Sequence, residues 1–258
     1  MGIETKVIRS LGQSAAIRRD GLDDEVAVEE PLEIRVDGVP LAVTMRTPGD
    51  DEELAAGFLF GEGLIAADAE AHPTADLAVN TVEVQGPLLR PPEPRRFYTT
   101  SSCGVCGKGA LEEVAVHAPT LRGGPRVPRS LLAALPDRLR QPTFERTGGL
   151  HATGLFDGTG RLLVVREDVG RHNAMDKVIG WAMGDDLVPL HDCILCVSGR
   201  VSFELVQKAV VAGAPILVGV GAPTSLAIEL AEDRSLTLCG FARAGRVNVY
   251  TSPGRALS

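Results

Sequence analysis

The sequence has no long uninterrupted apolar run. Its longest, Ala209 to Ala222, is broken by Gly213, Pro215, Gly219 and Gly221. A membrane-spanning helix needs about 20 consecutive apolar residues, so no span is expected. Met1 to Gln13 lacks the continuous apolar stretch of a secretion signal, and no signal peptide is expected either. Positive charge is also in deficit, with 26 basic residues against 34 acidic ones and a formal net charge of −8. Non-specific nucleic-acid binding draws its energy from neutralising phosphates, and this balance argues against it. Only four basic residues are lysines (Lys6, Lys108, Lys177, Lys208), a ratio ascribed to genomic base composition and given no functional weight. Cysteines number five, an odd count, and two of them fall in what reads as a buried strand. A disulfide-stapled secreted protein does not fit this pattern, and a reducing cytoplasm does.

What is present is enough for a sizeable core. The chain has 258 residues, 44% of them hydrophobic, which suffices for one large domain or two lobes. Thr99 to Gly109, T-T-S-S-C-G-V-C-G-K-G, sets Cys103 and Cys106 three residues apart among small polar neighbours. A thiol reacts as thiolate, and its pKa falls beside a cation or a helix N-terminus. Lys108 supplies the cation. Leu111, Val114 and Ala115 have the spacing of one helical face, which predicts a helix over Ala110 to His117 whose positive end points at the thiols. Gly104, Gly107 and Gly109 permit a mobile, exposed loop. The plain alternatives are half of a metal site or a chance pair.

Along the chain, Leu32 to Val36 and Val39 to Met45 alternate around Asp37-Gly38, a hairpin signal read as the opening element. Asp50 followed by Glu53 predicts a capped helix start, with an end at Gly61-Glu62-Gly63. Leu77 to Val84 is a weaker strand signal, and Pro87 to Pro94 is irregular. Pro119 to Pro128 reads as a linker dividing an N-terminal lobe, residues 1–122, from a second lobe, residues 123–258. A short helix is predicted over Ser130 to Arg140. Beyond Thr147 strands and helices alternate: strands Leu150 to Phe156 and Arg161 to Arg166, helix Arg171 to Met183, strand Cys193 to Ser198 and helix Ser202 to Ala212. Strand Ile216 to Val220, helix Thr224 to Asp233, and strands Leu236 to Cys239 and Val247 to Thr251 complete the series. This predicts an α/β fold: a mixed, mostly parallel sheet with helices on both faces, beside a smaller β-rich N-terminal lobe. In helix Arg171 to Met183 the apolar face is Met175, Val178, Ile179 and Ala182, with Asp176 and Lys177 placed opposite.

A four-cysteine zinc site uniting Cys103 and Cys106 with Cys193 and Cys196 fails on geometry. Residues three apart on a strand point to opposite faces with Cα atoms about 10 Å apart, whereas zinc needs sulfurs at about 2.3 Å. Cys193, Cys196 and Cys239 are therefore read as core residues, and no metal site is assigned. Thr147-Gly-Gly-Leu-His151-Ala-Thr153 beside a C-x-x-C is partly similar to the zinc nucleobase deaminases. Thr153 stands where their proton-shuttling Glu belongs and Ser102 where their Pro belongs, so deamination is not expected.

Three strand-to-helix junctions carry glycine with anion-binding side chains: Arg166 to Lys177, with Arg171 and His172; Ser198-Gly199-Arg200-Val-Ser202; and Gly219 to Ser225. In open α/β sheets ligands bind at that edge, and helix N-termini favour phosphate. Each junction alone is also explained by an ordinary helix cap; three on one edge predict a phosphate-rich ligand. Phe241-Ala242-Arg243-Ala244-Gly245-Arg246 offers an aromatic face and two guanidinium groups, able to stack a base and pair its phosphates. An ordinary β-turn explains it equally well.

Taken jointly, S-C-G-V-C-G-K, T-G-G-L-H-A, R-E-D-V-G-R-H-N-A-M-D-K, S-G-R-V-S-F-E-L, G-A-P-T-S-L-A and F-A-R-A-G-R-V-N-V-Y resemble the FdhD family of sulfur carriers that serve formate dehydrogenases. The resemblance runs from about Leu32 to Tyr250. It implies a cytoplasmic homodimer with a cytidine-deaminase-like core, acting as a sulfurtransferase. Sulfur would pass from a cysteine desulfurase to molybdenum or tungsten in a bis(molybdopterin guanine dinucleotide) cofactor, before that cofactor enters formate dehydrogenase. By the same resemblance Cys103 bears the persulfide, Phe241 through Arg246 contact the guanine dinucleotide, and GDP mimics that ligand. Cys106 is then placed to free the outer sulfur by attack on the persulfide. Three other readings stand beside it: a thiol–disulfide oxidoreductase, a non-enzymatic cofactor chaperone and a structural zinc protein. Neither nucleic acid nor membrane is an expected partner.

Overall fold

The computed structural model describes residues 12–73, 80–90 and 119–258. Strands β1 (Ser14–Arg19) and β2 (Leu22–Ala27) form a hairpin ahead of the one taken to open the fold. Its turn is Asp20-Gly21, both at positive φ, 53° and 83°. That is the same signal as Asp37-Gly38, but charged flanks hide the alternation. The expected hairpin follows as β3 (Glu30–Val36) and β4 (Val39–Arg46). After helix α1 (Asp51–Gly61) come β5 (Glu70–Pro73) and β6 (Thr81–Gln85), completing a four-stranded sheet in the order β4-β3-β6-β5.

Helix α1 lies where expected, but its predicted cap does not form. Asp50 sits in the left-handed region, φ 56°, and its side chain bonds no helical N–H. Glu53 turns to Arg166 instead and accepts two guanidinium hydrogen bonds of 2.6 and 2.7 Å. A bidentate charged pair outweighs one cap bond.

Residues 119–126 form neither helix nor strand and are anchored at Leu121, which is buried and whose N–H donates to the Arg234 carbonyl. Strand β7 (Val127–Pro128) and helix α2 (Arg129–Ala134) follow, then a 3-10 turn (Pro136–Arg138) and a helix that the sequence pattern does not predict, α3 (Pro142–Thr147).

The remaining elements are β8 (His151–Asp157), β9 (Leu162–Asp168), α4 (Arg171–Gly184), β10 (Cys193–Val197), α5 (Phe203–Val211), β11 (Ile216–Gly219) and α6 (Ser225–Asp233). Strands β12 (Thr237–Arg243), β13 (Arg246–Thr251) and β14 (Ala256–Leu257) close the chain, β14 pairing with β7. The main sheet has the order β13-β12-β11-β10-β8-β9. The α/β class is as expected, with the parallel part narrower than the alternation suggests. Only β10, β11 and β12 run parallel; β8-β9 and β12-β13 are antiparallel hairpins, and β8 runs antiparallel to β10.

The period of two along a strand divides the core between the sheet's faces. Leu195, Val197, Leu217 and Leu238 pack with α4, α5 and α6, while Ile194, Cys196, Ile216, Val218 and Cys239 pack with Leu132, Leu135 and Leu139. Leu32, Ile34, Leu54, Leu59 and Val84 belong to the first of these cores, so the segments before and after residue 122 share one apolar interior.

In helix α4, Asp176 and Lys177, opposite the apolar face, are buried as well, because α1 covers that side of the helix. The contact is backbone to backbone: a Cβ added at Gly57 would lie 1.9 Å from the Asp176 carbonyl oxygen, and one at Gly180 1.9 Å from that of Glu53. Lys177 Nζ reaches Asp168 Oδ2 at 2.9 Å and the Thr47 carbonyl at 2.9 Å. Asp176 pairs with Lys208 at 2.7 Å, and burial pushes its carboxyl up to about 6.

Candidate functional site

The direction of the strands brings the predicted junctions together. The C-terminal ends of β9, β10, β11 and β12 lie on one edge with the N-terminal end of β8, because each antiparallel ladder reverses the sense. Arg171, His172, Ser198, Arg200 and the β12-β13 turn, Phe241 to Arg246, all occupy this edge. Their arrangement is set from below by Asp168, which is fully buried. Its Oδ1 accepts from the Gly170 N–H (2.8 Å) and Asn173 Nδ2 (3.0 Å), and its Oδ2 from the Thr47 N–H (3.1 Å) and Lys177. The turn into α4 is thereby fixed, and with it the starting points of Arg171 and His172. Arg171 Nε is buried with no hydrogen-bond partner among the described residues, an unfilled donor at the edge.

His172 Nε2 lies 3.2 Å from Ser202 Oγ and 3.6 Å from Glu204 Oε2. The His172 imidazole beside it holds the Glu204 carboxyl down at about 2, against desolvation. Ser198 is tied to the neighbouring strand: its Oγ accepts from the Ala152 N–H at 2.9 Å, and its own N–H donates to the Ala152 carbonyl. Arg200 is exposed on the loop after β10.

The structure adds His151, which the sequence shows only within the T-G-G-L-H-A motif and in the comparison with deaminases. It opens β8 half-buried, and the position of a Cβ on Gly199 is 3.3 Å from its Nδ1 and 4.0 Å from Arg171 Cδ. Burial, then the charges of Arg171 and His172, push its imidazole below the ordinary histidine range. The T-G-G-L-H run is visible in the sequence; which side chains it faces is not.

A chain of backbone hydrogen bonds links the two halves of the edge. The Gly221 N–H donates to the Gly199 carbonyl (2.9 Å), and the Phe241 N–H donates to the Gly221 carbonyl (3.1 Å). Only glycine fits at 221, where a Cβ would come within 2.9 Å of the Arg200 backbone. Phe241 is held at φ 53° in a break of register between Gly240 and Arg243, and the residue is 38% exposed. A bulky residue in the left-handed region is strained, and such strain concentrates at functional sites. Arg243 and Arg246 face each other across the antiparallel pair, with Ala244 and Gly245 at positive φ between them. Like charges directly opposite disfavour the hairpin, so this pairing suits a bound anion. Ala242 points inward and is fully buried.

Cys103 and Cys106 lie outside the described residues, as does the helix expected over Ala110 to His117. Cys193 and Cys196 pack on opposite faces of the sheet, the arrangement that argued against a joint zinc site. Burial pushes the Cys193 thiol up to about 11, Cys239 up to about 12, and Cys196 up as well, which suits inert core residues. A shallow cavity of about 290 Å³ lined by Leu236, Tyr250 and Ser252 opens at the opposite edge and includes none of the site residues. No helix among the described residues is long and apolar enough to cross a membrane.

Comparison with known proteins gives a consistent picture. The FdhD/NarQ family profile matches residues 27–257. The sulfur carrier protein FdhD of Mycobacterium tuberculosis is 48% identical over 268 residues, covering 96% of both chains. That of Streptomyces coelicolor is 50% identical, covering 97% of this chain and 94% of its own, and that of Sulfolobus acidocaldarius 44%, covering 92% and 93%. A crystal structure assigned provisionally to a formate dehydrogenase accessory protein from Desulfotalea psychrophila superposes with a TM-score of 0.73 at 28% identity, covering 97% of this chain and all of that one. The chain belongs to the FdhD/NarQ family.

Proposed function

We propose that this protein is a sulfur carrier acting as a sulfurtransferase for formate dehydrogenase. Cys103 takes the outer sulfur of a cysteine desulfurase persulfide, and the cargo then passes to the metal of a bis(molybdopterin guanine dinucleotide) cofactor held at the sheet edge. In the first step the Cys103 thiolate attacks the outer persulfide sulfur and the desulfurase thiolate leaves. In the second, the Cys106 thiolate attacks the inner sulfur of Cys103; hydrosulfide departs and a Cys103–Cys106 disulfide forms, which a cellular thiol reduces before the next cycle.

The observation that carries the reading is the convergence of Arg171, His172, Arg200 and the Phe241–Arg246 turn on one edge, in a chain whose relatives at 48–50% identity are sulfur carriers. The turn lies two strands from β10, about 10 Å, a separation suited to a base stacked on Phe241 with its diphosphate reaching the arginines. Sulfur handling and cofactor holding separate in one experiment. Cys103→Ser should bind GDP like the wild type yet fail to restore formate dehydrogenase in cells lacking the native carrier. Arg243→Ala with Arg246→Ala should weaken GDP binding in calorimetry by about tenfold or more, because both guanidinium groups that would pair with the diphosphate are removed. A Cys103→Ser protein that restores full activity contradicts the sulfur-carrier role, and an unchanged GDP affinity in the arginine variant removes the turn from the site.

A further inference from the structure

His151 is a titratable group at this edge with no side-chain hydrogen bond or ion pair among the described residues. It is half-buried beside the Gly199 backbone. The charged groups around it are Arg171 and His172 from α4, Arg200 from the loop after β10, and the buried Asp168 at the end of β9. Asp168 is engaged by Lys177, Asn173 and two backbone amides, so its charge is largely answered elsewhere. His172 sits against Ser202 and Glu204. Burial, and after it the charge of Arg171 with those of His172 and Arg200, favours the neutral form of His151.

From this geometry we propose that His151 takes up a proton when a diphosphate binds the Arg171–Arg200 part of the edge, so that the free site is held one proton short of the bound one. The inference rests on the cofactor-binding reading above. A diphosphate beside Arg171 and Arg200 offsets the repulsion that adds to burial in keeping the imidazole neutral, and it supplies an acceptor for the ring N–H. The proton comes from solvent, no covalent bond changes, and a protonated His151 gives the bound diphosphate a third cationic contact. By linkage, binding tightens as pH falls through neutrality and the ligand is released more readily as pH rises.

The test uses GDP-mannose, whose diphosphate is a diester and does not itself titrate between about pH 5 and 9. Calorimetry on the full chain in buffers of different ionisation enthalpy measures the protons exchanged on binding. The wild type should show net uptake near neutral pH and bind about threefold to tenfold more tightly at pH 6 than at pH 8. His151→Gln should lose both the uptake and the pH dependence, whereas His172→Gln should keep the uptake even if its affinity falls. As a readout on the unaltered protein, NMR titration of the His151 ring should give a higher pKa with ligand than without. Absence of uptake by the wild type, uptake surviving in His151→Gln, or a His151 titration that ignores the ligand would overturn the inference. A wild-type chain that binds no GDP-mannose would instead overturn the cofactor-binding reading beneath it, because the ligand of that reading is itself a diphosphate diester.

Discussion

Gly57→Ala sets two physical effects of opposite sign against each other. In an exposed helix the change is favourable by about 1 kcal/mol, because alanine restricts the unfolded chain more than glycine does. In α1 the new Cβ would stand 1.9 Å from the Asp176 carbonyl oxygen, 2.7 Å from its carbon and 2.9 Å from the Gly180 nitrogen. All three are backbone atoms, so no side chain can rotate away. The two helices must part by about 1 Å or more, and interiors packed to crystal density cannot absorb that locally. Parting them loosens the core that Leu54, Leu59, Met175 and Ile179 share, and pulls Glu53 from its fork on Arg166. Overpacking alone costs about 1–3 kcal/mol, and with the fork and the loosened core the net loss should be about 3 kcal/mol or more. Urea unfolding measures it. Gly184→Ala, at the end of α4 with nothing within 4 Å of the added Cβ, is the control and should change stability by less than about 1 kcal/mol. A Gly57→Ala protein as stable as the wild type would refute the close helix contact, and with it the burial of Asp176 and Lys177.

Three further outcomes follow from the same structure. Lys177→Met leaves the buried Asp168 carboxylate without its countercharge and should destabilise by about 3–5 kcal/mol; adding Asp168→Asn should recover part of that loss, and strict additivity in the urea cycle would deny the coupling. Phe241→Gly and Phe241→Ala both remove the ring and should weaken GDP binding alike, but the glycine variant should be more stable by about 1 kcal/mol because residue 241 sits at φ 53°; equal stabilities would mean the left-handed turn is not held in solution. The Glu204 carboxyl is depressed from its ordinary value to about 2, so its contribution is complete above about pH 4.5 and is lost as pH falls toward 2. Partial exposure limits that contribution to about 1 kcal/mol, and a Glu204→Gln protein with an unchanged acid-unfolding profile would contradict the His172–Glu204 contact.

How far the sequence discloses this molecule depends on whether the signal is local. The strands and helices beyond Thr147 follow their periodicity closely, because each is bounded by glycine or proline and its neighbours are near in the chain. The anion-binding junctions are legible for the same reason: a strand end and a helix start are local events, and parallel strands bring them to one edge. The burial of the polar face of α4 is not legible in the sequence because α1, more than a hundred residues earlier, covers it; Gly57 and Gly180 signal that approach only once the partner is known. The cap at Asp50 fails to form because Arg166, equally distant, competes for Glu53. His151 is in view as part of a motif, but its role depends on Gly199 and Arg171, which only folding brings beside it.

The sulfur itself provides the most direct test. The protein, kept anaerobic and incubated with a cysteine desulfurase and cysteine, is digested and its cysteine peptides are weighed. The account predicts an added mass of about 32 daltons, one persulfide sulfur, on the peptide carrying Cys103, and its disappearance in Cys103→Ser. A Cys103 peptide that never gains that mass, while the desulfurase is loaded and turning over, would contradict the account.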